Sequence, residues 1–121
     1  MATDELFLSH VTDGILVVTF GQSHVLDAVA IERMSAAVKE LVKNAQQAMF
    51  LFDFQHVPYL SSSALGMLIG LHHRIVQRQG RLKLAGITPE VMEVFRVTKL
   101  DSVFDICPDA ASAIEAFRNK P

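Results

Sequence analysis

Cysteine is nearly missing from this chain: Cys107 is the single one among 121 residues. That excludes an internal disulfide and any cysteine-rich metal site. Cys107 itself reads as a small hydrophobe ending a strand, since a reactive thiol needs a positive charge beside it. No apolar run approaches the length needed to span a bilayer. The start, Met1-Ala-Thr-Asp-Glu5, lacks the basic residues of a secretory signal. A cytoplasmic location is therefore expected. Lys and Arg number 11 against 13 Asp and Glu, a formal net charge of −2 with no clustered cations, so the electrostatic footprint of a nucleic-acid binder is absent. Repeats, low-complexity tracts and linkers are also lacking. At 50% hydrophobic and 20% charged residues, the chain reads as one compact domain over residues 1–121.

What is present is a regular alternation of strand-like and helix-like segments. Leu6–Val11 and Ile15–Phe20 flank Asp13-Gly14, a strong hairpin signal. Asp27 is a plausible N-cap for a helix whose apolar stripe is Ile31, Met34, Val38, Leu41, Val42 and Ala45. Met49–Phe54 is a strand, and Pro58 keeps the residues after it from continuing either strand or helix. A central helix is expected from Ser62 to Gln79, ended by Gly80 in the left-handed conformation. Arg81–Gly86 is the next strand. Thr88-Pro89-Glu90 opens a further helix as cap, first-turn proline and first-turn acid, with Val91, Val94 and Phe95 inward. Val103–Ile106 is a last strand. Pro108 or Asp109 opens a last helix that buries Ala113, Ile114 and Phe117. The order β-β-α-β-α-β-α-β-α implies an α/β fold. Its sheet has four or five mostly parallel strands, an N-terminal antiparallel hairpin and about four helices.

The most informative stretch is Tyr59-Leu-Ser-Ser-Ser-Ala-Leu-Gly66, which places three hydroxyls where a buried strand gives way to an amphipathic helix. Unpaired N–H groups and the helix dipole favour an oxygen or an anion at such a point. Serine there is a preferred N-cap worth about 1 kcal/mol. It is equally a position that can carry a phosphate. Leu65, Leu68, Ile69, His72, Ile75 and Val76 form the expected core stripe of this helix. Met67 and Leu71, with Arg74 and Arg78, lie on a second face that fits a docking surface, and Gly66 and Gly70 are read as points of close helix packing. Other chemistries lack their signatures. His72 and His73 point to different faces and cannot form a same-face metal pair, and no metal is expected. Leu60-Ser-Ser-Ser-Ala64 lacks both glycines of an esterase elbow. Gly66-x-x-x-Gly70 has no Gly-Lys-Ser/Thr sequel for a nucleotide.

The order of elements, the strand–Pro-x-x-Ser-Ser-Ser–helix junction and the run Gly80–Phe104 resemble the STAS family. That family comprises bacterial anti-sigma factor antagonists and the cytosolic domains of sulfate-type transporters. Antagonists usually read Asp-Ser-Ser/Thr-Gly-Leu-Gly at this junction, and the first serine is phosphorylated by a partner kinase. Laid on this chain, Ser61 takes the aspartate position, Ser62 the phosphorylated one, with Ser63 as second choice, and Ala64 the first glycine. Leu65 and Gly66 match. Lys99 stands where glycine is common, and Asp27 falls near an acid that often opens the first helix.

The resemblance implies a non-enzymatic regulator without cofactors. It would bind an anti-sigma factor serine/threonine kinase, which carries ATP and Mg, through Ser61, Ser62, Ser63, Met67, Leu71 and Asp27. Phosphorylation of Ser62 would release it. The alternative is a non-phosphorylated scaffold or transporter-associated subunit. Ser61 favours that alternative by removing a fixed negative charge beside the acceptor, and Ala64 by adding a methyl where a kinase must approach. A homodimer through exposed strand edges is compatible with either.

Overall fold

The computed structural model describes residues 7–21 and 28–119. Among these residues five strands, β1 (Phe7–Thr12), β2 (Ile15–Phe20), β3 (Met49–Asp53), β4 (Arg81–Ala85) and β5 (Asp105–Cys107), lie side by side in chain order in one sheet. β1 and β2 are antiparallel; every later neighbour is parallel. Asp13 and Gly14 adopt φ of 54° and 76°, the doubly left-handed turn that matches strand twist in a two-residue hairpin. The parallel strands are joined by α1 (Ala28–Asn44), α2 (Ser62–Gln77) and α3 (Pro89–Val97), and α4 (Ala110–Asn119) follows β5. The α/β architecture expected from the sequence is the one observed.

Alternation within the strands sorts the core into two layers. Leu16, Val18, Phe20, Phe50, Phe52, Leu82 and Leu84 face α1, α2 and α3, and Phe104 and Phe95 extend this layer. Ile15, Val17, Leu51 and Ala85 face the other way, toward Ala113 and Phe117 of α4. On that second face Lys83 is also buried. It pairs with Asp105 and lies 4.9 Å from the Phe117 ring centroid, so its charge is matched rather than stranded.

Local chemistry explains most boundaries. Thr88 caps α3, its Oγ1 accepting the Val91 N–H at 3.2 Å, with Pro89 at the first helical position. Asp109 caps α4, accepting the Ser112 N–H at 2.8 Å, and this bond holds its carboxyl below the usual range. Lys99 sits at φ 63°, a left-handed conformation that glycine adopts more readily. The chain then makes a 3₁₀ turn over Leu100–Ser102. The last strand consequently starts at Asp105, two residues later than the apolar pattern suggests. Phe104 is buried, but on the turn.

Two glycine readings change. The left-handed residue after α2 is Gln79, at φ 66°, rather than Gly80. A Cβ on Gly80 would sit 2.9 Å from the Ala48 carbonyl oxygen and 3.0 Å from Ile75 Cγ2. Glycine is needed there for close backbone approach, and Gln79 absorbs the turn. Gly66 and Gly70, expected at close helix contacts, are open: among the described residues a Cβ on either would meet nothing within 4 Å.

The rotation of α2 is the largest correction. Its buried residues are Ala64, Leu68, Leu71 and Ile75. Leu71 is 0% exposed, whereas Ile69 and Val76, expected in the core, are 44% and 51% exposed. The stripe at i, i+4, i+7, i+11 packs on the phenylalanine layer, and α1 lies against the Met67 side of the helix. Leu71 therefore cannot belong to an outward docking surface.

The two classes of glycine separate in a stability test. Gly80→Ala is expected to destabilise by about 1–3 kcal/mol through overpacking. Gly70→Ala, on the open face, is expected to stabilise by up to about 1 kcal/mol through helix propensity. Urea unfolding midpoints at unchanged slope check this; the reverse order would contradict the packing described.

Candidate functional site

The serines are positioned from β3 onward. Asp53 interrupts the apolar run Phe50-Leu-Phe-Asp-Phe54 and is 3% exposed. Its Oδ1 accepts the Gln55 backbone N–H at 3.1 Å, and its Oδ2 accepts the Gln55 side-chain amide at 2.9 Å. Buried carboxylates persist only with such partners. Gly86, at φ +70°, passes so close that a Cβ would sit 2.8 Å from Oδ1. The Phe54 N–H donates to the Ala85 carbonyl at 2.8 Å, and the Val57 N–H to the Phe54 carbonyl at 2.9 Å. The chain leaving β3 is thereby turned sharply toward Ser61. Asp53 escaped the sequence reading; its signal was a lone acid inside a strand-length apolar run.

Ser61 is the N-cap of α2, in extended conformation. Its Oγ accepts the Ala64 N–H at 3.1 Å, and its carbonyl accepts the Leu65 N–H at 3.0 Å. That hydroxyl is committed to the fold. Ser62 and Ser63 are the first two helical residues and are exposed, and neither hydroxyl is hydrogen-bonded among the described residues. The first turn of α2 holds no acid. A negative charge on Ser62 would lie at the amide end of the helix, where it is favoured.

Helical geometry aligns Ser62 with Gly66, Ile69, His73 and Val76 at i, i+4, i+7, i+11 and i+14, all of them exposed. This outward ridge is the apolar surface adjoining the hydroxyl, and the sequence reading assigned two of its members to the core. Ser63 and Met67 lie on the flank toward α1. They line an open groove with Ile31, Glu32, Ser35 and Lys39, and Met67 is half-buried. On the opposite flank His72 is half-buried, its ring 4.9 Å from that of Phe104. Burial first, and His73 second, lower its pKa below the ordinary 6.5, so its neutral form is favoured.

The expected site residues thus divide. Ser61 is a cap, Ser62 and Ser63 present free hydroxyls, Met67 borders a groove, and Leu71 is core. Asp27 lies outside the described residues. Among the described residues no group of three or more His, Cys, Asp or Glu is placed to hold a metal ion, and no helix is long and apolar enough to cross a membrane. Cys107 is half-buried at the end of β5, and desolvation raises its pKa despite nearby Lys83.

The division of labour between the serines is measurable. Ser61→Ala is expected to cost about 1 kcal/mol of unfolding free energy through loss of the cap. Ser62→Ala is expected to stay within about 0.5 kcal/mol, as an exposed substitution away from any bond. Equal costs would place Ser62 in the fold rather than on its surface.

Comparison with known proteins agrees with this fold. A candidate anti-sigma factor antagonist of Bordetella bronchiseptica, BtrV, is 26% identical over 106 residues, covering 88% of this chain and 89% of its own. The crystal structure of a candidate anti-sigma factor antagonist from Thermotoga maritima superposes with a TM-score of 0.85 at 18% identity, covering 93% of this chain and 95% of the other. The antagonist SpoIIAA of Bacillus has a similar fold in its unphosphorylated form, with a TM-score of 0.77 at 22% identity and coverage of 95% and 98%. Its phosphorylated form gives a TM-score of 0.70 at 20% identity, covering 92% of this chain and 98% of the other. The family model described as STAS domain matches residues 8–113. With that match spanning the sheet, the serine junction and the start of α4, the chain belongs to the STAS domain family.

Proposed function

We propose that this protein is an anti-sigma factor antagonist of the phosphorylation-switched kind. Unmodified, it binds an anti-sigma factor serine/threonine kinase, which brings its own ATP and Mg; phosphorylated on Ser62, it lets go. It has no catalytic role and works in the cytoplasm. The observation that carries the reading is the pairing of an exposed, unbonded Ser62 hydroxyl with the apolar ridge of Ile69 and Val76 on the same helix face.

The switch follows from charge and desolvation. A phosphoserine adds about −1.5 to −2 charges and three acceptor oxygens. At the amide end of α2 this charge is tolerated, so the fold is kept. A partner covering Ile69 and Val76 would have to strip water from the phosphate or withdraw. About 3 kcal/mol of lost affinity corresponds to roughly a hundredfold weaker binding. The bare positions at Gly66 and Gly70 fit the same surface, since they let another backbone approach the helix without collision.

The two departures from the family motif count for less against the switch than the bare sequence suggests. Ser61 supplies the capping oxygen that an aspartate would supply. Ala64 is buried, so its methyl points into the core and away from the approach to Ser62. A scaffold or transporter-associated role retains only the missing negative charge in its favour.

The test is incubation with the cognate kinase and ATP, followed by binding measurements. The expected product carries one phosphate, mapped to Ser62 and absent from Ser62→Ala. Ser62→Asp and Ile69→Glu are each expected to weaken kinase binding at least tenfold while leaving the unfolding midpoint nearly unchanged. Equal binding by wild type and Ser62→Asp would rule out the switch and leave the scaffold reading.

A further inference from the structure

The two edges of the sheet are built differently. At one end β5 is three residues long, carries the acid Asp105 and runs into Pro108. These are devices that discourage pairing with another strand. At the other end β1 is six residues long, Phe-Leu-Ser-His-Val-Thr, with no lysine, acid or proline. It is the terminal strand of the sheet among the described residues. Leu8 and Val11 on it are 71% and 52% exposed.

The hairpin fixes which backbone groups of β1 are free. Thr12 pairs with Ile15 across the two-residue turn, and the pair closing such a turn exchanges hydrogen bonds. Bonded pairs alternate along the ladder, so Leu8, His10 and Thr12 direct their N–H and C=O groups toward β2. Phe7, Ser9 and Val11 direct theirs outward. The outward set is symmetric about Ser9.

We infer that β1 is a homodimer interface, pairing antiparallel with β1 of a second copy about a two-fold axis through Ser9. In this register Ser9 faces Ser9 of the second copy and Phe7 faces Val11, so every outward backbone group of Phe7, Ser9 and Val11 is hydrogen-bonded. The side chains agree with the backbone. Phe7 and Val11 stand opposite Phe20 and Leu16, on the face of the phenylalanine layer, so the half-buried Phe7 meets the exposed Val11. On the other face Leu8 meets His10. A register centred on His10 leaves Phe7 without a bonded partner in β1 and sets His10 against itself. The match of free backbone groups, side-chain face and apolar content about one axis is what selects a second copy as the occupant, as an isologous interface requires. The ridge headed by Ser62 is on another element, so the interface and the proposed switch stand or fall separately.

Sedimentation velocity of the full chain at rising concentration tests this, together with amide hydrogen exchange. The expected result is a reversible dimer, with the Ser9 and Val11 amides protected only as it forms. Ser9→Pro removes an N–H that β2 does not use, and Val11→Lys adds an edge charge. Each is expected to weaken dimerisation at least tenfold with an unchanged far-ultraviolet circular dichroism spectrum. Should Ser9→Pro perturb the fold, Val11→Lys alone decides. A chain that stays monomeric at every concentration overturns the inference. So does a dimer indifferent to both substitutions, or one whose Ser9 amide exchanges as in the monomer.

Discussion

The burial of Leu68, Leu71 and Ile75 beneath α2 is the constraint on which the rest depends. Each side chain taken fully out of water contributes about 1.5–3 kcal/mol, whereas the Ser61 cap contributes about 1 kcal/mol. Packing therefore decides how the helix is rotated, and the cap decides where it begins. A helix rotated by one residue would expose Leu71 and turn the first serine of the helix toward the sheet. With both settings made, Ser62 is left at the amide end of α2 on the side facing water.

The same rotation leaves residues on the surface that stability alone does not favour. Ile69 and Val76 stay exposed, and Gly66 and Gly70 weaken the helix without relieving any contact among the described residues. Under the proposed function this is the face that a partner covers. The buried Asp53 and the close-fitting Gly86 hold the preceding turn, so the junction is presented by a rigid base. A regulator that changes affinity by adding charge needs no movement of this base. A phosphate on Ser62, as proposed, would act on the surface and leave the core alone.

Much of this was legible in the amino-acid order. The Asp13-Gly14 hairpin, the Thr88-Pro89 helix start and the strand–helix alternation each rest on local chemistry that acts within a few residues. The phase of α2 was not legible, because Leu65, Met67, Leu68, Ile69, Leu71, Ile75 and Val76 leave the helix apolar nearly all round. Periodicity then admits two stripes sharing Leu68 and Ile75, and only the neighbouring α1 and phenylalanine layer choose between them. Long-range contact also hid the role of Gly80, whose partner is the Ala48 carbonyl more than thirty residues earlier. The Asp53 lock was hidden for a related reason, since it depends on Gly86 arriving from another strand. Ser61 and Ser62 looked interchangeable in sequence, and only the register of the cap bond separates a structural oxygen from a free one.

Thiol labelling along α2 measures the rotation directly. In a Cys107→Ser background, single cysteines replace Ser62, Ile69, Leu71 and Val76 in turn, and each is reacted with a maleimide under native conditions. Rapid labelling at positions 62, 69 and 76, with strong protection at 71, is the predicted pattern. Protection at 62 and 69 with rapid labelling at 71 would contradict the account, because the hydroxyl and its apolar ridge would then lie inside the fold.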